Sequence, residues 1–470
     1  MEPLTWTGAV GPLLNPIFFT AAAVLGIGIV AQILLSFVPS SSTRTGPMTL
    51  AASRSPADYA ALVVKWSFGF LVVTALAYVV AGILQPTLPA KGILGAVATR
   101  FLPVWAGMIV VFALSIVFKR RLGLYGKLFD SPIGMVGFAI VLFWVFTAFF
   151  AGTVATHDPL TQLSGMKNVL PGSPLTDGTP GYPYYLFGGD NLARDVFSRM
   201  VMGARQVLII APAATLFAFM VGITLGLPAG YFGGRLDTFL SFLANLVLAF
   251  PVILLFYLLV TPEIRVTGIP TILAGILFLF PIVFLVVLFN SRYFTQPSKR
   301  NLYVGLTLVL GLWAYSGLAF NMDPLGVWGM DPNLLNVFVA VVFVNAPTVF
   351  RIVRGIVLDI RSRDYVAAGQ TRGEGPWYIM LWEMLPNARG PLIVDFCLRI
   401  GYTTILLGTL GFFGLGVSPE SPDWGSTIND GRKLLSIYPH PAVVPALALM
   451  SLVLGLNLLA DGLREESLRD

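Results

Sequence analysis

Few side chains in this sequence are placed to do chemistry. Asp395 and Arg399 lie four residues apart inside an apolar run, a spacing that lets two helical side chains meet on one face. Charges within such a run are functional candidates by default. Here the pair reads first as a structural one that steadies its helix, and second as a contact to a translocation path. Asp461 and Arg464, near the end of the last apolar run, read as interfacial structural residues. The only histidines, His157 beside Asp158-Pro159 and His440 between two prolines, are far apart and read as polar loop residues rather than metal ligands. The single cysteine, Cys397, permits neither a disulfide nor a thiolate metal centre within one chain. A phosphate-cradling G-x-x-x-x-G-K-[ST] is absent, since Gly126-Lys127 is followed by Leu128. No Ser/His/Asp or paired-carboxylate array stands out. The chain is therefore expected to carry no catalytic, cofactor or metal residues, and any energy it uses must come from another subunit or an ion gradient.

The elements around these residues are apolar. Of 470 residues, 56% are hydrophobic and 11% are charged, against about 25% charged in soluble chains, so the chain is read as embedded in a membrane. Its formal charge of +6 fits cytoplasmic loops better than a nucleic-acid partner. Eleven spans are expected: Leu13 to Val38 (too long for a signal core, with no basic leader, and so retained), Val64 to Leu84, Phe101 to Phe118, Ser131 to Ala151, Val207 to Ala229, Phe239 to Val260, Ile272 to Asn290, Leu302 to Phe320, Leu334 to Val353, Pro391 to Phe413 and Ala442 to Leu459. Ser/Thr-rich residues with Arg44 and Arg54 follow the first span, and Lys119-Arg120-Arg121 with Lys127 follow the third. With the N-terminus outside and the C-terminus inside, most of the 29 lysines and arginines fall on the cytoplasmic side, as the positive-inside rule requires.

The longest charged interlude runs from Asp364 to Asn387, with Arg351, Arg354, Arg361 and Arg363 before it and Arg389 after it. Asp364 to Arg372 predicts a short polar helix exposing the small residues Ala367, Ala368 and Gly369. Gly373 and Gly375 break it, and Pro376 suits the first position of a second helix. Trp377, Met380, Leu381 and Met384 give that helix one apolar face, and Pro386 is expected to end it. The reading is a helix–elbow–helix lying at the cytoplasmic face.

This stretch resembles the coupling-helix loop of ABC importer membrane subunits, above all the C-type permease of dipeptide, oligopeptide and nickel importers. Ala367-Ala368-Gly369 stand where that family has Glu-Ala-Ala, while Gly373 and Leu385-Pro386-Asn387 match; Glu383 occupies a usually apolar position. The resemblance extends from Ser131 over most of the remaining chain. A loop of roughly fifty residues, with Pro171, Pro174, Pro180 and Pro183, ends in a pattern similar to the family's Gly-Thr-Asp-x-x-Gly-Arg-Asp-x-x-Ser-Arg. That pattern comprises Gly188, Gly189, Asp190, Arg194, Asp195, Ser198 and Arg199, with Gly189 and Ala193 replacing Thr and Gly. Read from the residues alone, it is an amphipathic helix on the outer surface with Arg194, Asp195 and Arg199 solvated. Tyr231 to Asp237 resembles a family turn, and Asn245 stands where Asp is common. Gly222 and Gly226 suit close helix contact. Gly414-Leu415-Gly416-Val417, Ser421-Pro422-Asp423-Trp424-Gly425, Asp430 and the ending Asn457 to Arg464 complete the likeness, whereas Leu407 stands where Glu is frequent.

The resemblance implies an all-α polytopic fold with a six-helix type I permease core. Residues 1–130 are then a three-helix extension and 131–470 the core, with a helix pair inserted at about 270–322 and the coupling loop at 361–390. It further implies one subunit of a bacterial or archaeal inner-membrane importer for di- or oligopeptides, with nickel or sugars as alternatives. The implied partners are a homologous B-type permease, two subunits that bind ATP and Mg, and a periplasmic or lipid-anchored binding protein. Asp364, Ala367, Ala368, Gly369, Gly373, Leu385 and Pro386 would couple to the ATPase. Asp190, Arg194, Asp195, Arg199, Trp424 and Asp430 would dock the binding protein or gate the outer side. The readings from other classes are an ion-driven secondary transporter, which would favour ionisable residues at mid-membrane and repeated halves, and a non-transporting assembly protein.

Overall fold

Backbone polar groups have no water to bond in hydrocarbon, so long apolar runs must satisfy them internally as helices. The computed structural model describes residues 1–37, 56–175, 181–415 and 421–467. Val38, Arg44, Arg54, Pro180, Gly416 and Val417 lie outside the described residues. The helices are α1 (Gly11–Ser36), α2 (Pro56–Leu84), α3 (Leu88–Arg100), α4 (Leu102–Phe118), α5 (Gly123–Lys127), α6 (Pro132–Phe149), α7 (Ala151–Val154), α8 (Val196–Phe232), α9 (Gly234–Leu248), α10 (Val252–Val260), α11 (Pro262–Val266), α12 (Ile269–Leu277), α13 (Leu279–Arg292) and α14 (Pro297–Phe320). They continue with α15 (Pro332–Ile360), α16 (Asp364–Thr371), α17 (Pro376–Tyr378), a π-helical segment Ile379–Met384, α18 (Leu385–Phe412), α19 (Trp424–Arg432) and α20 (His440–Ser467).

Among the described residues, ten helical runs are long and apolar enough to cross a membrane, and eleven if one bent pair counts as a span. That pair is α9 and α10, where the sequence led us to expect a single helix from Phe239 to Val260. The two meet at 81°. Pro251 explains the break, because it has no N–H to donate to the preceding turn and its ring crowds the carbonyl four residues back. At 15 and 9 residues, neither piece alone traverses about 30 Å of hydrocarbon.

The chain forms two compact units, Met1–Leu102 with Leu163–Phe197, and Pro103–Gln162 with Ser198–Asp470. The long loop thus packs with the first helices. In the first unit α1 and α2 pair, and Tyr78 donates to Asn15 Oδ1 at 2.6 Å. A side chain on Gly82 would meet the Gly95 backbone at 2.7 Å, so α2 and α3 touch nearly backbone to backbone. The loop closes on this unit through Leu4 N to Gly172 O, 2.9 Å. It holds a two-residue antiparallel pair, β1 (Ser173–Pro174) with β2 (Tyr184–Tyr185), in which Ser173 faces Tyr185. Arg100 lies over the Tyr182 ring, and burial pushes the Tyr182 hydroxyl up to about 12.

The second unit is a helical bundle in which α8 packs closely on α15. Gly222, Gly226 and Gly230 recur every four residues on α8, opposite Val349, Val353 and Val357 on α15, all buried. The small-xxx-small pair read from the sequence is thus a three-glycine stripe that lets the two helices close on each other.

Candidate functional site

The elbow forms as its residues dictate. Asp364 sits exposed in the first turn of α16, where a carboxylate complements the helix N-terminus. Ala367 and Ala368 are exposed, but Gly369 is not: it is buried, with Ile379 3.4 Å from where a side chain would start. The arm turns at Gly373, whose φ of +76° favours glycine. Gly373 N donates to Gln370 O at 3.0 Å and Glu374 N to Gly369 O at 3.2 Å, which closes the end of α16. Pro376 then opens the second arm at the first helical position.

Ile379, Met380, Leu381 and Met384 bury the apolar face of that arm in a cluster with Val366 of α16, Val353 and Val357 of α15, and Leu227 of α8. Trp377, expected on this face, is 38% exposed. Leu385 is half-buried and Pro386 exposed. Pro386 does not end the arm, contrary to expectation. The turns before it widen into a π-helix over Ile379–Met384, which accommodates a proline that cannot join the usual ladder. Asn387 Nδ2 donates to Glu383 O at 2.6 Å. The second arm therefore runs without a break into α18, and the two together span Pro376–Phe412.

Long-range polar contacts that the sequence does not announce hold the elbow. Arg372 at the end of the first arm pairs with Glu383 of the second, Nη2 to Oε1 2.6 Å. Gln370 donates to Tyr231 OH at 3.2 Å, and Arg361 Nη1 to Gly230 O at 3.4 Å. Arg354 forms an ion pair with Asp237, its second bond, Nη2 to Oδ2, being 2.6 Å. Together these tie the turn from Tyr231 to Asp237 to the base of the elbow. Further along α18, Arg399 Nε donates to Asp395 Oδ2 at 3.0 Å.

A second polar cluster lies at the far ends of the same helices, about 50 Å along α8 from the elbow. Arg199 is fully buried and donates to Ser421 O (3.1 Å), Thr427 Oγ1 (3.0 Å) and Pro159 O (3.4 Å). Trp424 is also buried. Its Nε1 donates to Met200 O at 2.8 Å, and its ring meets Trp144 edge-on at 5.1 Å. Asp423 caps α19 by accepting from Ser426 N at 3.0 Å, and burial pushes its carboxyl above the usual carboxylate range. Asp430 is half-buried. In the first unit, Asp190 and Arg194 form a buried ion pair at 2.7 Å, and Asp195 Oδ1 accepts from Phe197 N at 3.2 Å.

These geometries correct the expectation of a solvated amphipathic helix. α8 starts only at Val196, and Arg194, Asp195 and Arg199 are at most 3% exposed. Asp190, Arg194, Asp195, Arg199 and Trp424 are therefore buried side chains rather than solvated ones. Charge spacing singled these residues out but did not reveal their burial, because Ser421 and Thr427, which accept from Arg199, lie more than 220 positions later.

Residues 222–465 match the family described as binding-protein-dependent transport system inner membrane component, a region that includes the whole elbow, Trp424 and Asp430. The chain is 30% identical over 325 residues to a glutathione transport system permease protein of Pectobacterium atrosepticum, covering 69% of this chain and 83% of the relative. It is 27% identical over 341 residues to a dipeptide transport system permease protein of Alkalihalophilus pseudofirmus, covering 73% and 87%. Against a di/tripeptide transport system permease protein of Pseudomonas aeruginosa it is 28% identical over 352 residues, covering 75% and 93%.

Proposed function

Since the chain belongs to the family of binding-protein-dependent transport system inner membrane components, we propose that it forms half of the translocation pathway of an ATP-driven importer for di- or oligopeptides, glutathione-like tripeptides included. The relatives whose names specify glutathione and dipeptides support that substrate class. The working assembly pairs this chain with a homologous permease in a bacterial or archaeal inner membrane. Two ATPase subunits bind ATP and Mg, and a binding protein delivers substrate from outside. The positive-inside balance supports an elbow in the cytoplasm and a C-terminus inside. Residues 1–130 and the α12–α14 region are additions to a six-helix core.

The observation that carries this reading is the unbroken helix from the second arm of the elbow into α18. Exposed Asp364, Ala367 and Ala368 on the first arm offer a small-residue surface to an ATPase groove, and Gly373, Leu385 and Pro386 shape the elbow behind it. When the ATPases close on ATP, a push on the elbow passes along this continuous helix into α18. The pathway between the two permeases then exchanges its inward opening for an outward one. Purification of the tagged chain in mild detergent, with mass spectrometry of its companions, tests the reading. A second permease, ATPases and a binding protein are expected, and recovery of the intact chain alone would overturn it.

A further inference from the structure

The α13–α14 hairpin packs directly on the elbow. Trp382, on the π-helical segment, donates from Nε1 to Ser291 Oγ at 3.2 Å. The Ser291 hydroxyl is itself committed to Leu288 O at 2.9 Å, so its lone pairs are turned toward the indole. Arg292 lays its guanidinium over the same Trp382 ring, 4.5 Å from the centroid, a cation–π contact. Beside them Phe284, Val287 and Leu288 of α13 pack against the cluster that holds Ile379, Met380, Leu381 and Met384. The last turn of α13 thus grips one indole through its edge, its face and its apolar surroundings.

The hairpin that provides this grip is itself fixed. Only Tyr293 to Gln296 separate α13 from α14, and Tyr303 of α14 stacks on both Phe289 (5.4 Å) and Tyr293 (5.1 Å) of the α13 end. At the other end Tyr315 OH donates to Gly275 O at 2.9 Å, which ties α14 to α12. Trp313 Nε1 and the backbone N–H groups of Leu325 and Trp328 all donate to Asp323 and hold its carboxyl down at about 2.

We propose that α13–α14 is a buttress for the coupling elbow, with Ser291 and Arg292 as positioning residues that clamp Trp382 and set how far the elbow moves when the ATPases act. This rests on the importer reading above and deepens it. A π-helical turn is wider than an α turn and is the natural place for a helix to repack. Unclamped, the segment Ile379–Met384 would absorb displacement of the first arm as local repacking. Clamped from the side by α13, it passes that displacement into α18.

Two readouts test the proposal on the same variants. Arg292 is exposed and Ser291 half-buried, so Arg292→Ala and Ser291→Ala leave the bundle intact. In the purified protein, amide hydrogen exchange across Trp377–Met384 should rise about tenfold in the double variant. Arg292→Lys, which keeps a cation over the ring, should restore most of the protection. In the complete complex in liposomes, ATP hydrolysis in the absence of binding protein should rise about threefold in the double variant, with the amount of ATPase bound unchanged. Unchanged exchange overturns the clamp. Faster exchange with unchanged hydrolysis reduces it to packing and overturns the coupling role. If no ATPase accompanies the wild-type chain, the importer reading fails instead, and the exchange experiment still decides whether α13 holds the elbow.

Discussion

Arg372 and Glu383 bridge the two arms of the elbow, guanidinium Nη2 to carboxylate Oε1 at 2.6 Å. Glu383, the charge at an otherwise apolar position in the sequence pattern, is thus the partner of an arginine eleven residues earlier. Their side chains are 53% and 25% exposed, so the pair contributes only about 0.5 kcal/mol to stability. Its effect lies in the angle between the arms. Glu383→Ala should leave the complex assembled but weaken stimulation of ATP hydrolysis by the binding protein. Exchanging the charges, Arg372→Glu with Glu383→Arg, should recover most of that stimulation. A double-mutant cycle measures this, and strictly additive losses would remove the pair from the mechanism.

Gly373 tests the turn itself. Nothing lies within 4 Å of where its side chain would begin, so bulk alone is tolerated there. The constraint is its φ of +76°, which costs an ordinary L-residue about 1–2 kcal/mol. Gly373→Val should uncouple hydrolysis from uptake, whereas Gly373→Asn, which tolerates this conformation, should retain most transport. Normal uptake in the valine variant would take the elbow out of the mechanism.

The α8–α15 seam is limited by space instead. A side chain on Gly226 would start 2.9 Å from Val353 Cβ and 3.1 Å from Phe350 O. Gly226→Leu should destabilise the protein by about 1–3 kcal/mol through overpacking, with Gly226→Ala intermediate. Thermal unfolding in detergent reads this directly, and an unshifted midpoint in the leucine variant would mean that the seam is loose.

The membrane helices and the elbow were legible because their signals are local. Apolar runs mark the spans, and Gly373 and Pro376 mark the turn within a few residues of each other. Two features escaped local reading for opposite reasons. The break at Pro251 was present in the sequence, but the apolar run continues through it. Pro386 looked like a terminator, yet the π-helical segment carries the helix past it. The contacts of Arg199, Arg354 and Trp382 join residues about 90 to 230 positions apart, and no spacing rule along one chain connects them.

Ala193 adopts φ +61°, left-handed, at the place where the resembled pattern has glycine. Its carbonyl accepts from Tyr185 OH and from Leu163 N, both at 3.1 Å, which holds the strained turn in place. Ala193→Gly relieves about 1–2 kcal/mol of strain and gives back about 0.5–1 kcal/mol of unfolded-chain entropy. A net gain of about 0.5 kcal/mol follows, visible as a raised unfolding midpoint; a lowered one would show that the alanine methyl contributes more by packing than its backbone loses.

Asp423 gives stability a pH dependence with a definite sign. Burial raises its folded-state pKa, more than the hydrogen bonds from Ser426 and the charge of Arg199 lower it. The folded protein therefore binds this proton more tightly than the unfolded chain. Its contribution is complete below the unfolded carboxylate value, about 3.9, and is lost as pH rises through the folded value. In Asp423→Asn the side-chain amide keeps an oxygen to cap Ser426 N, as the carboxylate does at 3.0 Å, but cannot ionise. Unfolding midpoints measured from pH 4.5 to 8 should therefore show wild type losing ground to the variant as pH rises, whereas parallel curves would mean that the carboxylate is stabilised by its surroundings after all.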